Sequence, residues 1–192
     1  NSYNVAVGRS AGQSVTTGTN NTLIGGLAGD ALTDADNNTV VGRAALSADT
    51  LGSRATAIGF QALAQQNFTT ATDNYNTAVG FNAGVSVTTG IENVLIGGAA
   101  GDALTDADYN VAIGQAALGA DTLGSRSVAL GAYTLTAQNL TTATLTYNTA
   151  VGPFAGERVT TGVNNALFGG LAGDSLTDAD YNVAIGKGAL SS

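Results

Sequence analysis

The sequence predicts an all-β chain folded as a parallel β-solenoid, and three observations carry that reading. A glycine closing an apolar doublet recurs eleven times, at Gly8, Gly25, Gly42, Gly59, Gly80, Gly97, Gly114, Gly131, Gly152, Gly169 and Gly186; three short steps and one long one repeat along the chain as a fixed block. The segments before these glycines are rich in Val, Ile and Thr, β-branched residues that suit a pleated surface. Turn chemistry ("TTG", "GGLAGD", "LGS") punctuates each 17-residue unit. A helical hairpin repeat needs about 33 residues or more, so the unit is too short for one. A sandwich of hairpins would not require the same spacing eleven times.

Taken in order, residues 1–73 form a first block of four coils, 74–145 a second, and 146–192 a partial third, in one continuous solenoid. Each coil carries Asn at the fourth place before its glycine, with Ala55 and Ser127 as the two exceptions. Asn side chains stacked at the strand spacing of about 4.8 Å are expected to form an amide ladder from coil to coil. Ala stands at the third place after each glycine, except at Thr134, and is followed by Gly in coils one and two of a block and Leu in coils three and four. The marker glycine is read as a bend or a close backbone approach. The fourth coil of each complete block is expanded by an insert, in "QQNFTTATDNYN" and "AQNLTTATLTYN".

Both residues before the marker glycine are apolar in every coil, although neighbouring strand side chains point to opposite faces. Val7, Ile24, Val41 and Ile58 are assigned to the interior. Ala6, Leu23, Val40, Ala57, Ala78 and Leu95 then form an outward apolar stripe, which calls for a cover. The simplest cover is the same strand from sister chains, giving a symmetric homo-oligomer. Apolarity does not choose between two and three subunits; threefold packing is preferred. "SVTTGTN", "LTDADNN" and "DTLGSRA" read as the wet side of the coil.

The chain has 192 residues, a net charge of −8, and no Cys, His, Met or Trp. No disulfide framework is available, and neither the usual zinc ligand sets nor the commonest general base can be built. Six singly scattered basic residues give no nucleic-acid footprint. No signal peptide and no membrane-spanning apolar run is visible. The chain begins and ends inside repeats, so it is expected to be a piece of a longer protein.

"NTAVGFNAG", "NVAIGQAAL" and "NVAIGKGAL" resemble the head repeats of YadA-type trimeric autotransporter adhesins. The longer phrase "NTAVG..AG..VTTG..N" is similar to repeats of phage and virus tail-fibre proteins. The resemblance covers the whole chain. It implies a left-handed, trimeric β-roll on a cell or virion surface. The 17-residue coil and the expanded fourth coil depart from the shorter adhesin step.

"GDALTDAD" supplies Asp30, Asp34 and Asp36, repeated as Asp102, Asp106, Asp108 and, with Ser for Ala, as Asp174, Asp178, Asp180. Hard oxygen ligands at close spacing suggest Ca²⁺. The flanking residues fit a calcium-binding β-roll poorly, however, and solvated loops whose carboxylates cap their own turns are preferred. A glycosidase pair needs two carboxylates across one cleft, whereas this set recurs three times on regular coils. With no His to activate Ser or Thr and no Cys nucleophile, the chain is read as non-enzymatic. No catalytic residue, metal site or cofactor is assigned. Asp49 with Arg54, and Asp121 with Arg126, are candidates for exposed ion pairs, local or across chains, that contribute little. An ice-binding Thr face is set aside because the "TTG" pairs recur only once per four-coil block. Sequons at Asn20, Asn37, Asn67 and Asn139 matter only in a eukaryotic host. The expected role is a non-enzymatic segment of an extracellular surface fibre, self-associated as a homotrimer. It would be either an adhesive head or stalk meeting a host receptor or glycan, or an inert shaft, with no nucleic-acid or membrane contact.

Overall fold

The computed structural model describes residues 2–191; residues 1 and 192, the outer bounds of the first and third blocks, lie outside them. Fifteen short strands follow in order: β1 (Val5–Val7), β2 (Thr22–Ile24), β3 (Thr39–Val41), β4 (Gly52–Ser53), β5 (Thr56–Ile58), β6 (Thr72–Asp73), β7 (Thr77–Val79), β8 (Val94–Ile96), β9 (Val111–Ile113), β10 (Gly124–Ser125), β11 (Val128–Leu130), β12 (Thr144–Leu145), β13 (Thr149–Val151), β14 (Ala166–Phe168) and β15 (Val183–Ile185). Among the described residues none is helical. Eleven of the strands, one per coil, stack into a single parallel sheet in the order β1-β2-β3-β5-β7-β8-β9-β11-β13-β14-β15. The register repeats the sequence period: Val5 lies beside Thr22 across a short step, and Thr56 beside Thr77 across a long one. The extra residues of the fourth coils form β6 and β12, which pair in parallel with β4 and β10 of the coil before.

Apart from β4 and β10, the segments read as a wet side form stacked turns rather than strands. Sharp corners recur at fixed places in the coil. At the fifth place before the marker glycine the backbone is left-handed in all eleven coils, with φ between 48° and 66° from Tyr3 to Tyr181. The marker glycine itself has φ between 116° and 144°. At Gly59 a side chain would meet the carbonyl of Gly80 in the next coil, so the glycine column is the place of closest approach between coils.

The two faces of the strand are the reverse of the sequence-based assignment. Leu23, Val40, Ala57, Ala78, Leu95 and their equivalents point into the coil, and the residues just before the glycine point out. Ala57 is 0% exposed beside Ile58 at 36%, and Leu167 is 0% exposed beside Phe168 at 41%. The reason is parity. The ladder Asn and the residue two places after it lie on the same side of a strand, and the amides need the interior to reach neighbouring backbone. The flat interior is also narrow, which suits the recurring Ala.

Packing inside the coil accounts for the 72-residue period. The second coil of each block puts Leu at the inward strand position: Leu23, Leu95 and Leu167. Its δ-methyls occupy the space that a side chain at Gly12 or Gly29 would need. Coils three and four reverse the exchange, with Val40 or Ala57 on the strand and buried Leu46 or Leu63 in the left-handed position that Gly holds elsewhere. Large and small residues therefore trade places at near-constant volume, the condition a close-packed interior imposes. Each buried Leu contributes about 2 kcal/mol.

Candidate functional site

Among the described residues the surface has no enclosed pocket and no group of three ligating side chains converges. The features left to consider are repetitive: a buried polar spine, the Asp loops, the inserts and the outer face of the sheet.

The spine is the expected Asn ladder. Each ladder Asn before the last, Asn182, accepts the backbone N–H of the ladder residue one coil on through Oδ1, as Asn21 does from Asn38 (2.9 Å) and Asn93 from Asn110 (2.9 Å). The Nδ2 atoms donate to carbonyls of the following coil, as Asn21 does to Ala35 (2.7 Å). At Ala55 the ladder lacks its side chain, and the insert closes the gap. Asn74 Oδ1 takes the N–H of Asn76 (2.9 Å), and Gln66 Oε1 takes Asn76 Nδ2 (2.9 Å). Gln66 in turn donates to Asp49 Oδ2 at 2.7 Å, while Asp49 Oδ1 accepts from Gly52 and Phe68 N–H at 3.0 Å each. Gln138, Asp121 and Leu140 repeat this arrangement in the second block, where Ser127 Oγ also accepts from Gln138 at 2.9 Å.

The expected surface pairs are thus absent. Asp49 and Asp121 are fully buried beneath the inserts, where their oxygens satisfy backbone amides. Arg54 pairs instead with Asp73 of the insert, at 2.9 Å, an exposed pair of little energetic weight. Burial pushes the Asp49 carboxyl above its ordinary value, against the hydrogen bonds that pull it down. Phe68 and Leu140 tuck beneath the insert, leaving residues 69–71 exposed.

The Asp loops link coils. Asp34 accepts from the Thr17 hydroxyl, and Asp36 Oδ1 accepts both the backbone N–H (2.6 Å) and the hydroxyl (2.9 Å) of Thr19. Asp106 accepts from the Thr89 hydroxyl, Asp108 from the Ile91 N–H, and Asp180 from the Val163 N–H (2.7 Å). The sequence predicts that these carboxylates cap their own turns; Asp34, Asp36, Asp106, Asp108 and Asp180 serve the preceding coil instead, while Asp178 accepts from the Thr177 hydroxyl beside it (3.2 Å). Asp30, Asp102 and Asp174 stand apart at the start of each loop, half-buried, and desolvation raises the Asp102 carboxyl.

The outer face of the sheet carries two columns: the residue before each glycine, always apolar, and the residue two places earlier, which is Val, Thr or Ala. Val7, Ile24, Ile58, Ile113, Phe168 and Ile185 are exposed on it, and Val41, Val79, Ile96, Leu130 and Val151 partly so. Thr22, Thr39, Thr56 and Thr77 form a Thr ladder over four coils of this face. The "TTG" pairs give no sign of it, because these threonines sit within the strands. No family model, curated protein or solved structure matches the chain.

Proposed function

We propose that the chain is a non-enzymatic segment of an extracellular surface fibre, a left-handed β-roll assembled as a homotrimer through the outer sheet face and mediating attachment. One observation carries the reading: the apolar column before the glycines runs unbroken over eleven coils on the outside of the protomer. An apolar stripe of that extent calls for a cover, and a face repeated at a fixed spacing is matched in register by the same face of another copy. The threefold arrangement and the handedness follow the resemblance to trimeric adhesin heads. The interior, hydrogen-bonded coil by coil, makes a stiff rod suited to holding a binding surface away from its base. The Thr ladder lends some support to an ice-binding face, but the adjoining column never contains Thr, so apolar contact is the better use of this face.

Light scattering on the purified chain tests the assembly: three copies are expected, and a stable monomer refutes the reading. Ile113→Asp places an unpaired charge on the face and is expected to shift the population to monomers with the coil intact, because desolvating it costs several kcal/mol per chain. An unchanged trimer would refute the face as the contact.

A further inference from the structure

The apolar column on the outer sheet face is alike in every coil, so by itself it would let two copies slip past each other by one coil at little cost. The two rims of that face are not alike in every coil. The rim just after the marker glycines holds three of the chain's six basic residues, Arg9, Arg43 and Lys187, all exposed. The opposite rim, at the sixth and eighth places before the glycine, holds the Asp pairs, and only in coils three, seven and eleven. Those same three coils carry Arg43, Gln115 and Lys187 on the first rim. Arg9 belongs to the first coil, where Ser2 stands at the sixth place before the glycine, and takes no part.

Both rims have unused bonding capacity. Among the described residues neither Arg43 nor Lys187 forms an ion pair within the chain. The Arg43 guanidinium lies 5.5 Å from the centre of the Phe60 ring; stacking of that kind occupies a face and leaves the in-plane N–H donors free. On the other rim the hydrogen bonds from Thr17 to Asp34, Thr19 to Asp36, Thr177 to Asp178 and Val163 to Asp180 all fall on Oδ1. Each Oδ2 is left unbonded.

We infer that the two rims clasp one another between copies of this chain and fix the assembly as parallel and in register. Arg43 pairs with Asp34 and Asp36 of the neighbouring copy, Lys187 with its Asp178 and Asp180, and the Gln115 amide donates to its Asp106 and Asp108. In a parallel cyclic assembly every copy turns the same face to the axis. One rim of each face then lies beside the opposite rim of the next, at the same coil level. A slip of one coil, about 4.8 Å, would set Arg43 beside Thr19 or Ser53 and lose the pairing. Face-to-face antiparallel packing would bring like rims together, cation near cation. A slip of four coils would restore opposite charges at one level but could not close a ring. Exposed pairs add little energy singly, whereas charge complementarity is well suited to setting register. The apolar face holds the copies and the rims place them. The inference deepens the assembly reading above and rests on it.

The chain has no Cys, so introduced thiols report without background. Arg43→Cys combined with Asp36→Cys, treated with a short bis-maleimide, is expected to give covalent trimers on a denaturing gel. Either single variant is expected to run as a monomer. Within one chain the two thiols stand on opposite rims, about 16 Å apart over the five extended steps from 37 to 42, beyond the reach of the linker. Ser53 holds the place of Asp36 one coil on, so the coil accommodates a small side chain there. Charge reversal gives a second readout. Arg43→Glu with Lys187→Glu is expected to raise the concentration at which the trimer dissociates at least tenfold at low salt, with the gap closing at high salt. Arg158→Glu, exposed but away from both rims, should leave that concentration unchanged. Light scattering on the parent separates this inference from the assembly reading. A monomeric parent overturns both. A trimeric parent whose double Cys variant gives no links, or whose single variants link, overturns the clasp and leaves the assembly reading standing. So does a reversed variant that assembles like the parent at low salt.

Discussion

Replacing Asn93 by Ala isolates what the amide ladder contributes. Asn93 Oδ1 accepts the N–H of Asn110 at 2.9 Å, and Nδ2 donates to the Ala107 carbonyl at 2.7 Å and to Asn76 Oδ1 at 3.3 Å. Asn93 and Asn110 are fully buried, so water cannot replace the lost partners. An orphaned buried group costs about 1–3 kcal/mol, and with one amide and one carbonyl left short the expected loss is about 3 kcal/mol per chain. In a domain of this length that lowers the melting temperature by about 6–12 °C. The sequence carries its own control. Ala55 occupies the same ladder position naturally, and Asn74 already takes the N–H that an Asn there would accept. Ala55→Asn is therefore expected to add no stability. Asn93→Asp sets a buried carboxylate oxygen against the Ala107 and Asn76 oxygens and should cost more than Ala at neutral pH. Thermal melts followed by circular dichroism at one protein concentration, which holds any assembly contribution fixed, decide the matter. A melting point for Asn93→Ala within about 2 °C of wild type would refute the account of the spine as energetically essential.

Two further outcomes follow from the coil geometry. Gly59→Ala forces a side chain into a φ of 135° and against the Gly80 carbonyl, whereas Gly98 has open space around it; chemical denaturation should show several kcal/mol lost for the first and less than about 1 kcal/mol for Gly98→Ala. Burial raises the Asp49 carboxyl above its ordinary 3.8, so its contribution to stability is full below that value and is lost as pH rises through the raised folded value. The stability of wild type relative to Asp49→Asn, from urea titrations between about pH 7 and about pH 3, should therefore grow on acidification, and a difference that shrinks would contradict the assignment.

The coil, its register and the Asn ladder are legible in the sequence because each depends on a strict position: eleven glycines at fixed steps align every coil on the same places. The facing of the strand is where the sequence reading goes wrong. Size suggests that Val7 and Ile24 belong inside and Ala6 outside, yet the Asn at the fourth place before the glycine already settles which parity faces inward. Periodicity is the stronger constraint, and residue volume the weaker one. Asp49 and Asp121 mislead for a different reason. Nothing local marks a carboxylate as buried, and the signal lies at the seventh place after the glycine, where successive coils read Val15, Leu32, Asp49, Gln66, then Val87, Leu104, Asp121, Gln138. An apolar column that turns polar for the two coils around each insert points to an interior network.

That interior column also explains why the chain repeats every four coils when one would suffice to stack. Identical coils could pair one step out of place at little cost, since every strand would still find apolar neighbours and an amide to bond. The four-coil pattern removes that freedom. A slip that brought a coil carrying Leu46 or Leu63 to the place of Gly12 beside Leu23 would overfill that part of the interior. It would also leave Asp49 without Gln66 and the Phe68 amide, a buried carboxylate stripped of its donors. Since volume and polarity both return only with the next complete block, a misregistered pairing that satisfies the core must skip four coils at once, and closing so long a loop is the slower event. The longer period is thus a register device, and it gives a solenoid of near-identical coils a single folded arrangement.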